Sequence, residues 1–288
     1  MKITALINCY NTQEYLADTV QSVLGQRRQP DEFIVVDDGS TDGSYELACD
    51  LLRDVDYARV VRQENGGQLS AVCKGVEESS GDILAILDSD DLWNEDHLEL
   101  AEQAFRKDPQ LSLFYSGFDC FGESSDQWQP RYGNGMIGQT FVLVMVSKVH
   151  FEGVSSSLVV RAEEMKKFLP FPHWILGDWR SGADNILTWM SSATCGTKYA
   201  HTEPTIRYRR HAENVSKKAN APAFVAFRKV TEERFFEYLR RELFIDRRIA
   251  NLLLLEFMGH ENPSKNLKKE YLRAVRHCSR ELGLLKAA

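Results

Sequence analysis

Residues 83–91 read Ile-Leu-Ala-Ile-Leu-Asp-Ser-Asp-Asp, so that five apolar residues run directly into three carboxylates within four positions. A continuous aliphatic run of this kind is typical of a strand buried on both faces. The acidic group that follows then lies at the carboxyl end of the strand, where open α/β sheets bind their ligands. The stretch therefore predicts a buried parallel strand with a functional site at its end.

Three strand–helix units precede this strand. The short β-branched runs at Ile3–Asn8, Phe33–Val36 and Arg59–Arg62 predict strands, and a helix with an apolar stripe follows each of them. We expect Asn11 to cap the first of these helices, with Glu14 three residues on. Strands that alternate with single helices pair in parallel. The predicted fold is therefore a doubly wound, mostly parallel α/β sheet with helices on both faces.

The rest of the sequence has a looser pattern. The further predicted elements are a helix near Glu95–Phe105, strands at Leu111–Tyr115, Val154–Arg161 and Thr205–Arg209, a short helix ending at Phe168, a helix near Asn185–Ser192, and a long loop over residues 122–139. From about Pro222 onward the periodicity is helical, and helices are expected at about 222–242, 244–258 and 264–283.

Charge is unevenly distributed along the 288 residues. The net charge is −7, yet residues 1–206 carry 16 basic and 32 acidic side chains, whereas residues 207–288 carry 19 and 10. The acidic body argues against nucleic acid as a partner. Five interpretations of the basic tail stay open: a solvated face, packing on the acidic body, cover for an acceptor site, a homodimer contact, or peripheral contact with an anionic membrane.

Cysteine usage and hydropathy bear on where the protein works. The six cysteines are scattered without a CxxC pair, which argues against a structural zinc site and an oxidising compartment. No apolar run approaches the roughly 18–20 residues of a membrane-spanning helix, and Met1–Thr4 leads into a strand without a cleavage signal. The expectation is a cytoplasmic protein, with a peripheral position at the inner face of the membrane as the alternative.

Polar clusters follow three of the predicted strands, at residues 8–11, 37–40 and 88–91. Carboxylates at such positions are costly unless something offsets their repulsion. The oxygen ligands of 88–91 suit Mg²⁺ or Mn²⁺ rather than zinc, and these ions commonly bridge phosphates. Because the sequence has neither a P-loop nor a GxGxxG after its first strand, a phosphate ligand is expected to be held through a metal. The alternative is a helix cap with an Asx turn.

Five motifs resemble, in order and spacing, those of the inverting family 2 glycosyltransferases with the GT-A fold. They are Tyr10-Asn11, Val35–Asp42, Asn65–Ala71, Leu87–Trp93 and Tyr208–Ser216. The resemblance covers residues 1–216 and implies a GT-A domain there, with a nucleotide-sugar half at 1–116 and an acceptor and catalytic half at 117–216. Residues 217–288 are then a helical C-terminal extension.

The resemblance implies an activity as well as a fold. It implies a metal-dependent hexosyltransferase that moves a sugar, with inversion, from a nucleoside-diphosphate donor to a hydroxyl of a glycan or a lipid-linked acceptor. Uridine is the first choice of nucleobase, and the implied process is the synthesis of cell-surface polysaccharide.

Residue roles in the donor site follow from the same resemblance. Tyr10 is implied to stack on the nucleobase, Asn8 and Asp38 to hydrogen-bond the base and the ribose edge, and Gln68 to line the donor site. Asp88 and Asp90 match the DxD motif of the family. Together with His211 they are the implied ligands of Mn²⁺ or Mg²⁺, with Asp88 nearer the ribose or the waters of the metal.

The catalytic element of the family is an acidic pair that opens a helix late in the domain. The matching stretch here is Gly182–Trp189, in which Ala183 replaces the commoner Glu. Asp184 is therefore the implied base that takes the proton of the acceptor hydroxyl. Apart from the resemblance, Asp184 reads as an N-cap of its helix, and Asp178 is the competing base.

The sequence alone leaves two alternatives to a glycosyltransferase open. An apolar strand followed by Asp-Ser-Asp-Asp resembles the nucleophile strand of haloacid-dehalogenase-like phosphatases, although that motif belongs on the opening strand of its domain and here three units precede it. The Ala183 replacement leaves room for a non-catalytic module that only binds nucleotide-sugars.

Overall fold

The computed structural model describes residues 1–148, 151, 153–194, 196–212, 214, 221–242 and 264–281. The helix expected at 244–258, residues 282–283 of the last expected helix, and Glu213, Val215 and Ser216 of the last motif lie outside the described residues.

The described elements alternate between strands and helices over the first half of the chain. The strands are β1 (Ile3–Cys9), β2 (Glu32–Asp37), β3 (Ala58–Arg62), β4 (Ile83–Asp88), β5 (Leu92–Trp93), β6 (Leu111–Gly122), β7 (Gln127–Trp128), β8 (Gly135–Gln139), β9 (Leu158–Arg161) and β10 (Thr197–Arg210). The helices are α1 (Gln13–Leu24), α2 (Ser44–Leu52), α3 (Gln68–Glu78), α4 (His97–Lys107), α5 (Phe141–Ser147), α6 (Ala162–Lys166), α7 (His173–Asp178), α8 (Ala183–Ala193), α9 (Pro222–Glu242) and α10 (Lys265–Glu281).

One mixed sheet organises these strands in the order β3-β2-β1-β4-β9-β6-β10-β5, with β7 beside β6 and β8 beside β10. The first four strands of this order run parallel to one another. β9 lies antiparallel between β4 and β6, and β6 and β10 are again parallel. The predicted fold class is confirmed, since helices flank a largely parallel α/β sheet and a helical C-terminal region follows it.

Successive residues of the central strands supply two separate cores. In β4, Leu84 and Ile86 belong to the core beneath α3 and α5–α10, whereas Ile83, Ala85 and Leu87 belong to the core beneath α1, α2 and α4. Because side chains alternate across a strand, an apolar run without polar interruptions must be covered on both faces. This burial holds the carboxyl ends of β1, β2 and β4 in fixed register.

The helices after residue 217 pack on the sheet domain. Phe235 and Phe236 of α9 are fully buried in the same core as Trp189 of α8. Tyr271 of α10 is buried there too, and its hydroxyl donates to the carbonyl of Gln139 at 3.1 Å. The domain boundary at 216 stays a prediction, and the helices beyond it share a core with the residues before it. None of the described helices combines the length and apolarity needed to cross a membrane.

The predicted start of α1 was wrong. The helix is preceded by Thr12, which makes no side-chain cap hydrogen bond. Asn11 instead adopts a left-handed conformation with φ of 51°, and its Oδ1 accepts a hydrogen bond from the Thr41 amide at 2.8 Å. The Asn side chain is used to join two loops at the end of the sheet, so it is not available to the helix.

Several boundaries in the second half also differ from prediction. The strand expected at Leu111–Tyr115 continues to Gly122. The expected loop at 122–139 contains β7 and β8. The strand expected from Val154 begins at Leu158, after a 3₁₀ turn at Ser155–Ser157. The strand expected at Thr205–Arg209 extends over fourteen residues, because its earlier part pairs with β6 and β8 despite its polar sequence.

Candidate active site

The carboxyl ends of β1 and β4 place predicted site residues side by side. Asn8 lies opposite Asp88 in the pairing of the two strands, and its Nδ2 donates to Asp88 Oδ1 at 2.8 Å. Tyr10 follows β1 directly, and 48% of its surface is exposed. The end of β1 therefore carries both a polar group fixed to the acidic turn and an aromatic ring available to a ligand.

Asp38, just beyond β2, shapes the loop beside the site. Its Oδ1 accepts from Gln63 Nε2 at 2.7 Å and from the Gly66 amide at 2.8 Å. Its Oδ2 accepts from the Gly67 amide at 2.8 Å and from Asn65 Nδ2 at 3.1 Å. Both oxygens of this buried carboxylate thus hold the loop at 63–67 in place.

Gln68 joins the acidic turn to the start of α8. Its Nε2 donates to Asp88 Oδ1 at 2.9 Å and to Ser155 Oγ at 3.1 Å. Its Oε1 accepts from the amides of Gly182 at 2.9 Å and Ala183 at 3.3 Å. These amides belong to the helix terminus, which has no intrahelical partner for them. Through one amide side chain, Asp88 and the first turn of α8 are held in the same site.

The acidic turn concentrates negative charge at the end of β4. Burial raises the pKa of Asp88 to about 7, and the charges of Asp90 and Asp184 act in the same direction. Burial likewise raises the pKa of Asp91 well above its ordinary value. Asp91 accepts from Ser156 Oγ at 2.6 Å and from the Arg209 amide at 2.8 Å. Asp91 therefore anchors the turn, whereas Asp88 and Asp90 carry the charge that a ligand can neutralise.

His211 comes to the same turn from the end of β10. Its Nε2 lies 2.8 Å from Asp90 Oδ2. The neighbouring Arg209 donates from Nε to the carbonyl of Asp90 at 2.8 Å and pairs with Asp18 at 3.2 Å. The structure thus places the His211 imidazole against the Asp90 carboxylate, and carboxylate oxygens are ligands that Mn²⁺ and Mg²⁺ prefer.

Comparison with protein families decides the class of this site. The family model for glycosyl transferase family 2 matches residues 4–161, which is more than half of the chain. The chain belongs to glycosyltransferase family 2. The phosphatase interpretation of the acidic turn is therefore set aside.

Curated relatives of this family 2 glycosyltransferase include proteins from three bacteria. An uncharacterized glycosyltransferase of Nostoc sp. is 27% identical over 220 residues, covering 74% of this chain and 66% of that protein. Glycosyltransferase GlyG of Streptococcus pneumoniae is 39% identical over 113 residues, 38% of either chain. Poly-beta-1,6-N-acetyl-D-glucosamine synthase of Staphylococcus aureus is 34% identical over 109 residues, 38% of this chain and 26% of the synthase. The matches span about two thirds of the first relative's length and far less of the other two.

Solved structures of low sequence identity share the fold. TarS of Staphylococcus aureus in complex with UDP-GlcNAc has a TM-score of 0.63 at 15% identity, covering 97% of this chain and 81% of that chain. A mannosyltransferase from Pyrobaculum calidifontis in complex with GDP-Man and Mn²⁺ has a TM-score of 0.52 at 17% identity, covering 98% and 74%. Both matches extend over nearly the whole of this family 2 glycosyltransferase.

The two candidate bases differ in their surroundings. Asp184 is the second residue of α8. The N-cap residue of this helix is Gly182, so the interpretation of Asp184 as the N-cap was wrong. The Asp184 carboxylate accepts from Asn185 Nδ2 at 3.2 Å. Asp178, in contrast, lies 2.6 Å from Arg234 Nη1 of α9 in an ion pair. Asp184 therefore lies on the helix whose first amides Gln68 ties to Asp88, whereas Asp178 pairs with α9.

Sequence reasoning missed the serines that shape the acidic turn. Ser156 Oγ accepts from the Asp88 amide at 3.1 Å and donates to Asp91. Ser155 Oγ accepts from Gln68. The available signal was the Ser155–Ser157 run, which interrupts an otherwise apolar strand pattern.

Proposed function

We propose that this protein is a metal-dependent, inverting glycosyltransferase that moves a hexose from a UDP-sugar to a hydroxyl of a glycan or lipid-linked acceptor in cell-surface polysaccharide synthesis. The observation that carries the proposal is the Gln68 side chain, which ties Asp88 of the acidic turn to the helix that bears Asp184. The UDP-GlcNAc bound to TarS and the name of the related synthase support the choice of donor and process.

The donor site is assigned to the ends of β1 and β2. Tyr10 stacks on the nucleobase, which its exposed ring supports. Asn8 and Gln68 both donate to Asp88 Oδ1. We assign this group of three side chains to the ribose and diphosphate of the donor. Asp38 contributes by holding the loop at 63–67, since both of its oxygens already accept hydrogen bonds there.

The metal site is assigned to Asp88, Asp90 and His211. Within the described part of the chain, no three His, Cys, Asp or Glu side chains converge into a preformed metal site, so these residues would hold the ion together with the donor. Mn²⁺ or Mg²⁺ held there would supply positive charge that stabilises the leaving nucleoside diphosphate. The Mn²⁺ in the mannosyltransferase complex supports this choice of ion.

The proton chemistry is assigned to Asp184. Its carboxylate takes the proton of the acceptor hydroxyl while the oxygen attacks the anomeric carbon. The bond between that carbon and the diphosphate oxygen breaks as the new glycosidic bond forms. A single displacement from the opposite face inverts the anomeric centre. The position of Asp184 in the first turn of α8, which Gln68 ties to Asp88, supports Asp184 as the base.

The proposal is tested by following UDP release from a panel of UDP-sugars with Mn²⁺. We expect slow hydrolysis by the wild type without acceptor and faster turnover with a glycan or lipid-linked acceptor. Asp184→Asn should lower turnover by about 10²–10⁴-fold, the usual contribution of a positioned base, while UDP with Mn²⁺ still raises the melting temperature of the variant. Asp178→Asn is the matched control and should retain most activity if it folds.

Contrary outcomes separate the alternatives. Full turnover by Asp184→Asn would exclude this residue as the base. Stabilisation of the wild type by UDP without any turnover would favour the non-catalytic binding module.

A further inference from the structure

Arg228 of α9 reaches across to the start of the helix that carries Asp184. Its guanidinium lies 4.2 Å from the ring centroid of Trp179 and 5.1 Å from that of Phe224. Nη2 donates to the Ser181 carbonyl at 2.5 Å and to Ser181 Oγ at 3.3 Å. Two aromatic rings and one carbonyl therefore fix the orientation of this side chain.

The backbone at Gly182 leaves room for this contact. Gly182 has φ of +87°, and a Cβ there would lie 2.7 Å from Arg228 Nη2. The positive φ strains any residue with a side chain, and an added Cβ would also displace the guanidinium group. The start of α8 is thus shaped around the guanidinium group.

The second terminal nitrogen of Arg228, Nη1, is buried and has no hydrogen-bond partner in the described part of the chain. A buried donor without an acceptor is costly, and native structures leave few of them. Burial lowers the pKa of the Arg228 guanidinium, and the negative charges of Asp184 and Glu232 oppose that shift. Asp184 lies three residues after Ser181, in the first turn of the helix whose start Arg228 already contacts. This placement makes Asp184 the natural acceptor for Nη1.

We propose that Arg228 is the positioning residue of the catalytic base: in the reactive complex Nη1 donates to one oxygen of Asp184 and leaves the other oxygen facing the acceptor hydroxyl. The inference rests on the proposed function, because it takes Asp184 as the base. A base oriented by a third group is a recurring arrangement in active sites. The planar fork of Arg suits the role, since it can bind Ser181 and Asp184 at the same time.

Helix α9 thereby takes part in catalysis, although Arg228 lies outside residues 4–161, the segment that matches the family. Because Arg228 contacts the start of α8 and not the strand ends, its substitution should lower kcat and leave donor binding unchanged.

A double-mutant cycle tests the inference. The kcat and the donor KM are measured for wild type, Arg228→Met, Asp184→Asn and the combined variant. We expect Arg228→Met to lower kcat by about 10–100-fold, the scale of a misplaced catalytic group, with the donor KM within about twofold of wild type. The combined variant should be no slower than Asp184→Asn alone, because Arg228 acts through Asp184. Lys229→Met, on the exposed face of the same helix, is the matched control and should leave both constants unchanged.

Several outcomes would overturn the inference. An unchanged kcat in folded Arg228→Met contradicts it, and so does a combined variant whose loss is the product of the two single losses. If Arg228→Met does not fold, Arg228→Lys replaces it, since Lys keeps the charge and the aliphatic stem. It should still lose kcat because one ammonium cannot take the place of both guanidinium nitrogens, and full activity would contradict the inference. A wild type without turnover on any sugar nucleotide would instead overturn the proposed function, and with it the role of Arg228.

Discussion

Gln68 is the residue on which the geometry of the candidate site depends most directly. Its Nε2 donates to Asp88 and Ser155, and its Oε1 accepts from the amides of Gly182 and Ala183 at the start of α8. Gln68→Leu keeps the size of the side chain and removes all four contacts. We expect the free energy of unfolding to fall by about 1–3 kcal/mol, because polar groups lose their partners, and turnover to fall at least tenfold. Denaturant unfolding and UDP release measure the two effects.

The control for Gln68→Leu is Gln103→Leu. Gln103 is exposed on α4 and makes one long contact to Glu99 at 3.4 Å, so its loss should change neither quantity. Equal effects of the two substitutions would contradict the central place given to Gln68.

The order of the motifs indicated which polar residues lie near one another, but not which hydrogen bonds they make. Asp90 and His211 lie 121 positions apart and form a contact, and the spacing of the motifs anticipated that neighbourhood. Asp38 was expected to face the ligand, yet its oxygens are occupied by a loop whose path depends on backbone amides rather than on side-chain pattern. Arg228 had no sequence signal, because its role arises only where two helices pack.

At the scale of elements, Glu32 ties together the amino-terminal ends of the parallel strands. It accepts from Thr4 Oγ1 of β1 at 2.6 Å, from Arg59 Nη1 of β3 at 2.9 Å, and from the Ser80 amide and hydroxyl at 2.8 Å. Although burial alone would raise the pKa of Glu32, these hydrogen bonds outweigh it and lower the pKa from 4.5 to about 2. The ionised form is therefore favoured by the folded state.

The sign of the resulting pH dependence follows from this depressed pKa. Stability from Glu32 is fully present above the unfolded pKa of 4.5 and is lost as the pH falls toward about 2. Glu32→Gln should therefore destabilise the protein by about 2–3 kcal/mol at pH 7, and the difference from wild type should shrink between pH 5 and the lowest pH at which the protein stays folded. Urea unfolding at several pH values measures this. Exposed Glu64→Gln is the control, and a difference that stays constant with pH would contradict the assignment.

Strands with a clear local pattern were predicted closely. β1 to β4 were predicted to within one residue at each end. The apolar runs of β1, β2 and β4 are covered on both faces, and the half-buried edge strand β3 is marked by its pair of valines. The strand β10 was predicted at only its last third, since its earlier residues are polar and are held by pairing with β6 and β8. Pairing of this kind depends on strands distant in the chain, and local periodicity does not record it.

At the scale of the whole molecule, part of the positive charge found after residue 206 lies on one side of α10. The inner side of this helix packs on the body through Leu267, Tyr271 and Ala274. Its outer side carries an exposed basic face that surrounds Leu272, which is 49% exposed. The members of the basic face are Lys265, Lys268, Lys269 and Arg276. A helix of this kind is suited to rest on an anionic lipid surface, where each basic group contributes about 1 kcal/mol.

We therefore expect the protein to bind vesicles that contain anionic lipid at low salt and to release them as the ionic strength rises, because screening weakens charge attraction. The double variant Lys268→Glu with Lys269→Glu should lower vesicle binding at least tenfold in a sedimentation assay. Lys107→Glu with Lys167→Glu changes the net charge by the same amount on exposed sites elsewhere and should retain most binding. Equal losses in the two variants would show that net charge rather than α10 governs binding. Concentration-dependent dimers without vesicle binding would assign the basic face to a second copy of the chain instead.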